Sequence, residues 1–306
     1  MRKFVAVALG FSVCLTLAAA KPGGGGGGGG VSPPPNPQIA YRLLSGKTVK
    51  LVVANEDNTN QATLYSSARS FNFDLAPRGQ DQIALSTGTG ASSKLSILTY
   101  TVTGSGTFAP AGIVDLTPAR EGTRMDFSPD GRRIAFACCF DGTNETLAVY
   151  DLDDNTVTSW ATGPFFWDFA WFRDGNSIAY STLLPTQLWE LPGPGAEPIL
   201  LYTGQGEINV DASRIHPGRL VVSYNDASGD ARIGLFEEGA FIDEDIAHSA
   251  RAWQGTLSCY DTKLAFMGVQ NTSGSQAFYI RDLTTNLNSL VSKNSNILLQ
   301  FWPSCG

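Results

Sequence analysis

The residues able to do covalent or acid–base chemistry in this chain are few. There are two histidines, His216 and His248. His216 sits in an Ile215-His216-Pro217-Gly218 turn with no partner indicated, so a Ser-His-Asp arrangement has no assembled base. The string closest to a nucleophile elbow, Gly175-Asn176-Ser177-Ile178-Ala179, lies inside a repeated segment, where Ser177 reads as a turn or strand residue. Two separate histidines do not form a metal cluster. The acidic turn Asp151-Leu152-Asp153-Asp154-Asn155 offers hard oxygens but lacks the central Gly and distal Glu of a calcium loop, so it reads as a solvated connection. Gly88, Gly90, Gly104 and Gly106 form no strand–loop–helix cradle for phosphate. The expectation is no catalytic residue, no metal and no cofactor.

Composition narrows the classes further. The chain of 306 residues is 42% apolar and 16% charged, with 33 Gly, 16 Pro and a formal charge of −7. That is a globular composition rich in turn formers, pointing to an all-β chain. Net acidity opposes nucleic-acid binding, because no surplus of Lys and Arg exists to neutralise phosphates.

Arg2 and Lys3 precede an uncharged apolar run, Phe4 to Ala20, that closes on Ala18-Ala19-Ala20. Residues 1–20 therefore read as a secretory signal cleaved after Ala20, leaving no membrane span and a periplasmic or secreted chain. An uncleaved anchor is the alternative. Cleavage removes two of the 21 basic residues and none of the 28 acidic ones, making the remainder more acidic. Residues 21–37, with eight consecutive glycines and a proline cluster, read as a disordered tail. Residues 38–306 read as one domain.

Four cysteines remain after the signal. Cys138, Cys139, Cys259 and Cys305 allow three pairings, and spacing selects none. Cys138 and Cys139 follow a strand pattern and read as small buried residues. A Cys259–Cys305 bridge is conceivable from their matching places in adjacent units.

What positions these residues is a repeat. Phe127-Ser128-Pro129-Asp130-Gly131-Arg132-Arg133-Ile134-Ala135-Phe136 returns as Trp171 to Tyr180. The apolar triplets beginning at Ile39, Ile83, Ile134, Ile178, Leu220 and Leu264 follow one another at roughly 45 residues, the period of a propeller blade. Asp130-Gly131 and Asp174-Gly175 are turn dipeptides. Each unit reads as four short strands, for example before the Pro-Asp-Gly turn, at Ile134–Phe136, near Leu147–Leu152 and near Thr156–Trp160. The C-terminal segment from Ile297 reads as a first strand, and the domain opens on a second. The ends are expected to complete one blade, closing an all-β, six-bladed β-propeller and removing its exposed edges.

Phe127 to Phe136 and Leu51 to Gln61 resemble the TolB-like branch of propeller repeats, the WD40-like Pro-Asp repeats. The resemblance is sharp in the third and fourth units and weak in the fifth and sixth. It implies an exported, usually periplasmic or surface, propeller that binds an envelope or extracellular protein through its faces; the mixed charge and aromatic residues near the channel mouth would also suit a glycan. TolB itself carries a further α/β domain where this chain has its glycine tail, so its role in the envelope is not carried over. Counting back from the turns places Arg124, Asp168, Asp211 and Trp253 near the channel mouth, with Trp167 beside it, as ligand contacts; packing of the two tryptophans between blades is the alternative. The run Phe165 to Phe172 alternates, with Phe165, Trp167, Phe169 and Trp171 expected on one face. The expected function is a non-catalytic binding scaffold. The alternative is a carbohydrate-active enzyme, a lyase or hydrolase, using channel carboxylates.

Overall fold

The structure, a computed structural model, describes residues 39–55, 59–77, 80–88, 93–102, 107–118, 124–258, 260–270, 274–293 and 299–301. The expected signal and tail, Cys259, Cys305 and the middle of the Leu51–Gln61 motif lie outside these residues. Six antiparallel four-stranded sheets account for the described strands. Blade 1 holds β1 (Ile39–Ser45), β2 (Thr48–Ala54) and β3 (Ala62–Ser67). Blade 2 holds β4 (Asn72–Leu75), β5 (Gln82–Thr87), β6 (Lys94–Val102) and β7 (Phe108–Pro118). Blade 3 is β8 (Met125–Phe127), β9 (Arg133–Cys138), β10 (Glu145–Asp151) and β11 (Thr156–Gly163). Blade 4 is β12 (Phe166–Trp171), β13 (Ile178–Leu183), β14 (Thr186–Leu191) and β15 (Ile199–Thr203). Blade 5 comprises β16 (Gln205–Ala212), β17 (Leu220–Asn225), β18 (Ala231–Glu237) and β19 (Ala240–Asp243). Blade 6 comprises β20 (Arg251–Leu257), β21 (Lys263–Val269), β22 (Ala277–Asp282) and β23 (Leu287–Ser292).

The last strand, β24 (Leu299–Phe301), pairs antiparallel with β1, matching Ile39 to Phe301 and Tyr41 to Leu299. Blade 1 therefore takes its first strand from the C-terminal segment. The first strands β4, β8, β12, β16, β20 and β24 contact one another in cyclic order around the channel. This is a closed six-bladed β-propeller. Among the described residues no helix is long and apolar enough to cross a membrane.

The recurring triplets are explained by burial on both faces of each second strand. Ile134 and Phe136 pack into the joint with blade 2, while Ala135 points to the joint with blade 4 and meets a core containing Trp171. Ile178 and Tyr180 face blade 3, and Ala179 faces blade 5. A large–small–large triplet thus fills one joint and leaves room in the next, which is why both faces read apolar. Blade 5 inverts the rule. Its central residue is Val221, and the facing strand of blade 6 supplies Gly255, whose added Cβ would stand 2.8 Å from Ile233 Cγ2 and 3.0 Å from Val221 Cγ1.

Two sequence expectations change here. Cys138 is buried but Cys139 is exposed with φ 60°, and the two are joined as a disulfide between neighbours rather than packed as free thiols. The alternation of Phe165 to Trp171 is also broken. Phe166 pairs with Thr182 and Asp168 with Ser181, so Trp167 is an extra residue in a β-bulge. The bulge shifts the phase, and Phe166 joins Phe169 and Trp171 in the joint core in place of Phe165 and Trp167.

Candidate functional site at the propeller channel

The first strands of blades 3 to 6 end where a backbone bond opens the following turn: Ser128 N to Arg133 O, Phe172 N to Ser177 O, Ser213 N to Arg219 O and Ser258 N to Lys263 O. Ala76 N to Gln82 O is the same bond in blade 2. Aligned on these residues, side chains two and four places earlier point alike, because strand side chains alternate. The residues two places earlier are Asp74, Asp126, Ala170, Asp211 and Thr256. Those four places earlier are Asn72, Arg124, Asp168, Asn209 and Gln254. All ten line one cavity of about 80 Å³ at the ring centre.

The aspartates fasten the ring. Asp74 Oδ2 accepts the Phe127 amide of blade 3, and Asp126 Oδ2 accepts the Trp171 amide of blade 4 at 2.6 Å. Asp168 Oδ2 takes the Val210 amide of blade 5 at 3.0 Å. Asp211 Oδ2 takes the Leu257 amide of blade 6 at 3.0 Å and the Thr256 hydroxyl at 2.7 Å. Each carboxylate thus satisfies a backbone donor on the next first strand, a position where an orphan amide is costly.

Two arginines sit among them. Arg214, from the turn after β16, places Nη2 3.7 Å from Asp126 Oδ1 and 3.8 Å from Asp211 Oδ1. It passes the blade whose corresponding residue is the short Ala170. Arg124 donates to Asn209 Oδ1 at 2.8 Å and lies 3.4 Å from Asp168 Oδ1, tying blades 3, 4 and 5 together. Burial pushes the Asp74 carboxyl up to about 6, against the opposing pull of the Phe127 amide and Arg214. Burial and then the charge of Asp74 push Asp126 well above the usual carboxylate range. Burial also raises Asp168, with Arg124 opposing. Burial would lower Arg214, but Asp126, Asp211 and Asp74 together hold it above its ordinary value.

Of the five residues singled out in the sequence, the structure brings Arg124, Asp168 and Asp211 together in this cavity. Trp253 and Trp167 are not among its lining residues. Trp253 is half-buried against the core between blades 6 and 1, and Trp167 lies beside Phe165 at 6.2 Å between ring centres. Asp74, Asp126 and Arg214 belong to the cavity and were missed. The signal for the two aspartates was available, since each lies two places before its strand's closing residue. Arg214 had no such signal, because it enters from a turn.

A second ring of contacts links the turns that follow the first strands. Gln80 Nε2 donates to Asp130 O at 3.0 Å, Arg133 Nη2 to Gly175 O at 2.6 Å, and Arg173 Nη1 to Ile215 O. Ser213 Oγ donates to Asp261 Oδ2 at 2.6 Å. Gly131 suits this ring, since its φ of +69° is one that a glycine adopts without strain.

No family model and no curated protein matches the chain by sequence. Solved structures match by fold. TolB from Acinetobacter baumannii superposes with a TM-score of 0.69 at 13% identity, covering 87% of this chain and 66% of that one. The chain thus spans slightly under two thirds of that TolB. A putative TolB from Agrobacterium tumefaciens gives 0.59 at 14% identity, covering 88% of this chain and 100% of that one. The β-propeller domain of the Trilobed protease from Pyrococcus furiosus gives 0.54 at 14% identity, with 83% and 86% covered. That domain is described as having an open velcro topology, whereas here β24 closes blade 1. At these identities the likeness is one of fold, and the fold is that of a TolB-like propeller.

Proposed function

We propose that this propeller is an exported, non-catalytic binding scaffold of the cell envelope, and that a protein partner docks across its channel mouth. Arg124, Asp168 and Asp211 would supply the polar contacts, with Trp167 and Trp253 flanking them. Export rests on the basic–apolar–small pattern of residues 1–20. The observation that carries the scaffold reading is the commitment of the channel carboxylates. Asp74, Asp126, Asp168 and Asp211 each accept an amide of the next blade. Groups held in that way build a rigid rim more readily than they move protons. The cavity of about 80 Å³ is also far below the roughly 300–1,000 Å³ of small-molecule sites. A ligand of any size must therefore sit on the rim.

The test is capture of a partner from envelope extract by the wild type and by an Arg124→Ala/Trp253→Ala double variant. The reading expects a partner held by the wild type and lost by the double variant, with circular dichroism showing that the variant still folds. Equal capture by both would move the site away from the channel mouth.

A carbohydrate-active enzyme is the second reading. It draws on the raised pKa of Asp74 and Asp126, which suits a general acid. Burial explains the same shifts without chemistry. Release of oligosaccharide from a polysaccharide, abolished by Asp126→Asn in a variant that still folds, would favour the enzyme.

A further inference from the structure

Between blades 4 and 5, on the side of the turns that follow the first strands, lies a groove of about 450 Å³. Its size falls within the range of ligand sites. The floor is apolar, with Phe172 and Phe236 belonging to the core between the two blades. One wall is the start of β15, where Ile199 and Leu200 are 51% and 47% exposed. Apolar side chains left this open beside a cavity mark an interaction surface.

The rim is acidic. Asp174 comes from the turn after β12, Glu190 from β14 and Glu238 from the turn after β18. No cationic side chain lines the groove, and among the described residues none of these three carboxylates forms an ion pair. The arginines closest in the chain are already engaged. Arg219 pairs with Glu237 at 2.9 Å, and Arg173 donates to the Ile215 carbonyl. The groove therefore presents apolar surface and uncompensated negative charge together.

Strand β15 is the last in its sheet, paired only with β14. Its other edge leaves main-chain groups that an extended segment can bond. In such a segment residues i and i±2 share a face. An apolar side chain at i would enter toward Phe172 and Phe236, while cations at i−2 and i+2 would meet the carboxylates on the rim.

We propose that this groove is a docking site for an extended segment of a partner protein that carries an apolar residue flanked two places away by Lys or Arg. The site is separate from the channel mouth and goes beyond the reading given for it.

A fluorescein-labelled peptide amide, Gly-Lys-Thr-Leu-Thr-Lys, is the probe, titrated with the full chain and followed by anisotropy at low and high salt. Two controls replace both Lys by Glu, or Leu by Ser. The Lys peptide should bind, and added salt should weaken it. A Glu190→Gln/Glu238→Gln variant should bind it about fivefold more weakly, the loss expected for two exposed charge pairs. Leu200→Ser should weaken it as well, and both controls should bind worse. The peptide is titrated with no envelope partner present, so a failure of the channel reading does not touch this one. The melting temperatures of the Gln variants serve as the folding control. Absence of binding, equal binding of the Lys and Glu peptides, or unaltered binding by the double Gln variant would overturn the proposal.

Discussion

At the joint between blades 3 and 4, Asp126 accepts the Trp171 amide, and Trp171 Nε1 donates a second bond to the Asp126 carbonyl at 3.1 Å. Arg133 then lies 4.8 Å over the Trp171 ring and donates to Gly175 O. At the joint between blades 5 and 6, Asp211 again accepts an amide, here from Leu257, but the rest differs. Ser213 and Arg219 reach Asp261, and Gly255 faces Val221 where a larger residue faces an alanine elsewhere. Both joints have an inner fastening at the channel and an outer one between turns. Backbone geometry fixes where these fastenings fall, and different side chains fill them. The first joint is built on aromatic packing and backbone acceptors, the second on side-chain charge and a size exchange.

Removing the inner fastening should cost most. Asp126→Ala leaves the Trp171 amide unpaired and takes one carboxylate from Arg214, a loss of about 3–5 kcal/mol. Denaturant unfolding measures it. A loss below 1 kcal/mol, typical of exposed pairs, would show that the channel ring is not what holds blades 3 and 4 together.

The joint between blades 2 and 3 adds a pH dependence. Asp74 is raised in the folded chain to about 6, with burial as the main cause. The folded state then holds the proton more tightly than the unfolded chain, so this group contributes most at low pH. Its contribution falls as pH rises from about 4 to about 6, by roughly 3 kcal/mol for the full shift. Asp74→Asn keeps an oxygen for the Phe127 amide but cannot titrate. The variant should lack this part of the fall, and melting curves across that range compare the two chains. An identical pH profile would remove Asp74 from the account.

At the size exchange, Gly255→Ala should cost about 2 kcal/mol by overpacking against Ile233 and Val221. Adding Val221→Ala restores the arrangement of the other joints and should recover part of the loss. The double-mutant cycle reads the coupling directly. Simple additivity would mean that Gly255 and Val221 do not share the space.

The difference between the joints also explains what the sequence disclosed. The blade count, the second strands and the closure by the C-terminal segment were legible because Ile134-Ala135-Phe136 and its relatives must be apolar on both faces. The Ser128–Gly131 turn was legible because Asp130-Gly131 is a turn dipeptide, and Gly131 takes its φ of +69° without strain. The channel was read in part. Inner strands β12, β16 and β20 carry register shifts toward their starts, between Phe166 and Asp168, Gln205 and Asn209, and Trp253 and Thr256. Counting by two across such a bulge assigns the wrong face, as in the run Phe165 to Trp171, where Phe166 and not Trp167 packs with Phe169. Trp167 and Trp253 stand one residue off the alternation that carries Asp168 and Gln254 into the cavity. Arg214 was hidden for another reason, since a side chain folding back from a turn follows no strand period.

The smallest effect should appear at Asp261, and it tests whether charge in the second joint matters. Asp261 donates its amide to Ser258 O at 2.9 Å, the role of Gly131 toward Ser128 and of Gly175 toward Phe172. Like those glycines it has a left-handed backbone, with φ 52°. Asp261→Gly would relieve about 1 kcal/mol of backbone cost. It would also remove the acceptor for Ser213 Oγ and the carboxylate facing Arg219 and His216 at 3.9 Å. A hydrogen bond to a charged group is worth about 1.5–3 kcal/mol, so the loss outweighs the gain. The net expectation is a destabilisation of about 1 kcal/mol in denaturant unfolding. A variant as stable as the wild type, or more so, would mean that the carboxylate of the sixth turn adds nothing to the joint, and the contrast between the two joints would reduce to Gly255 and Val221.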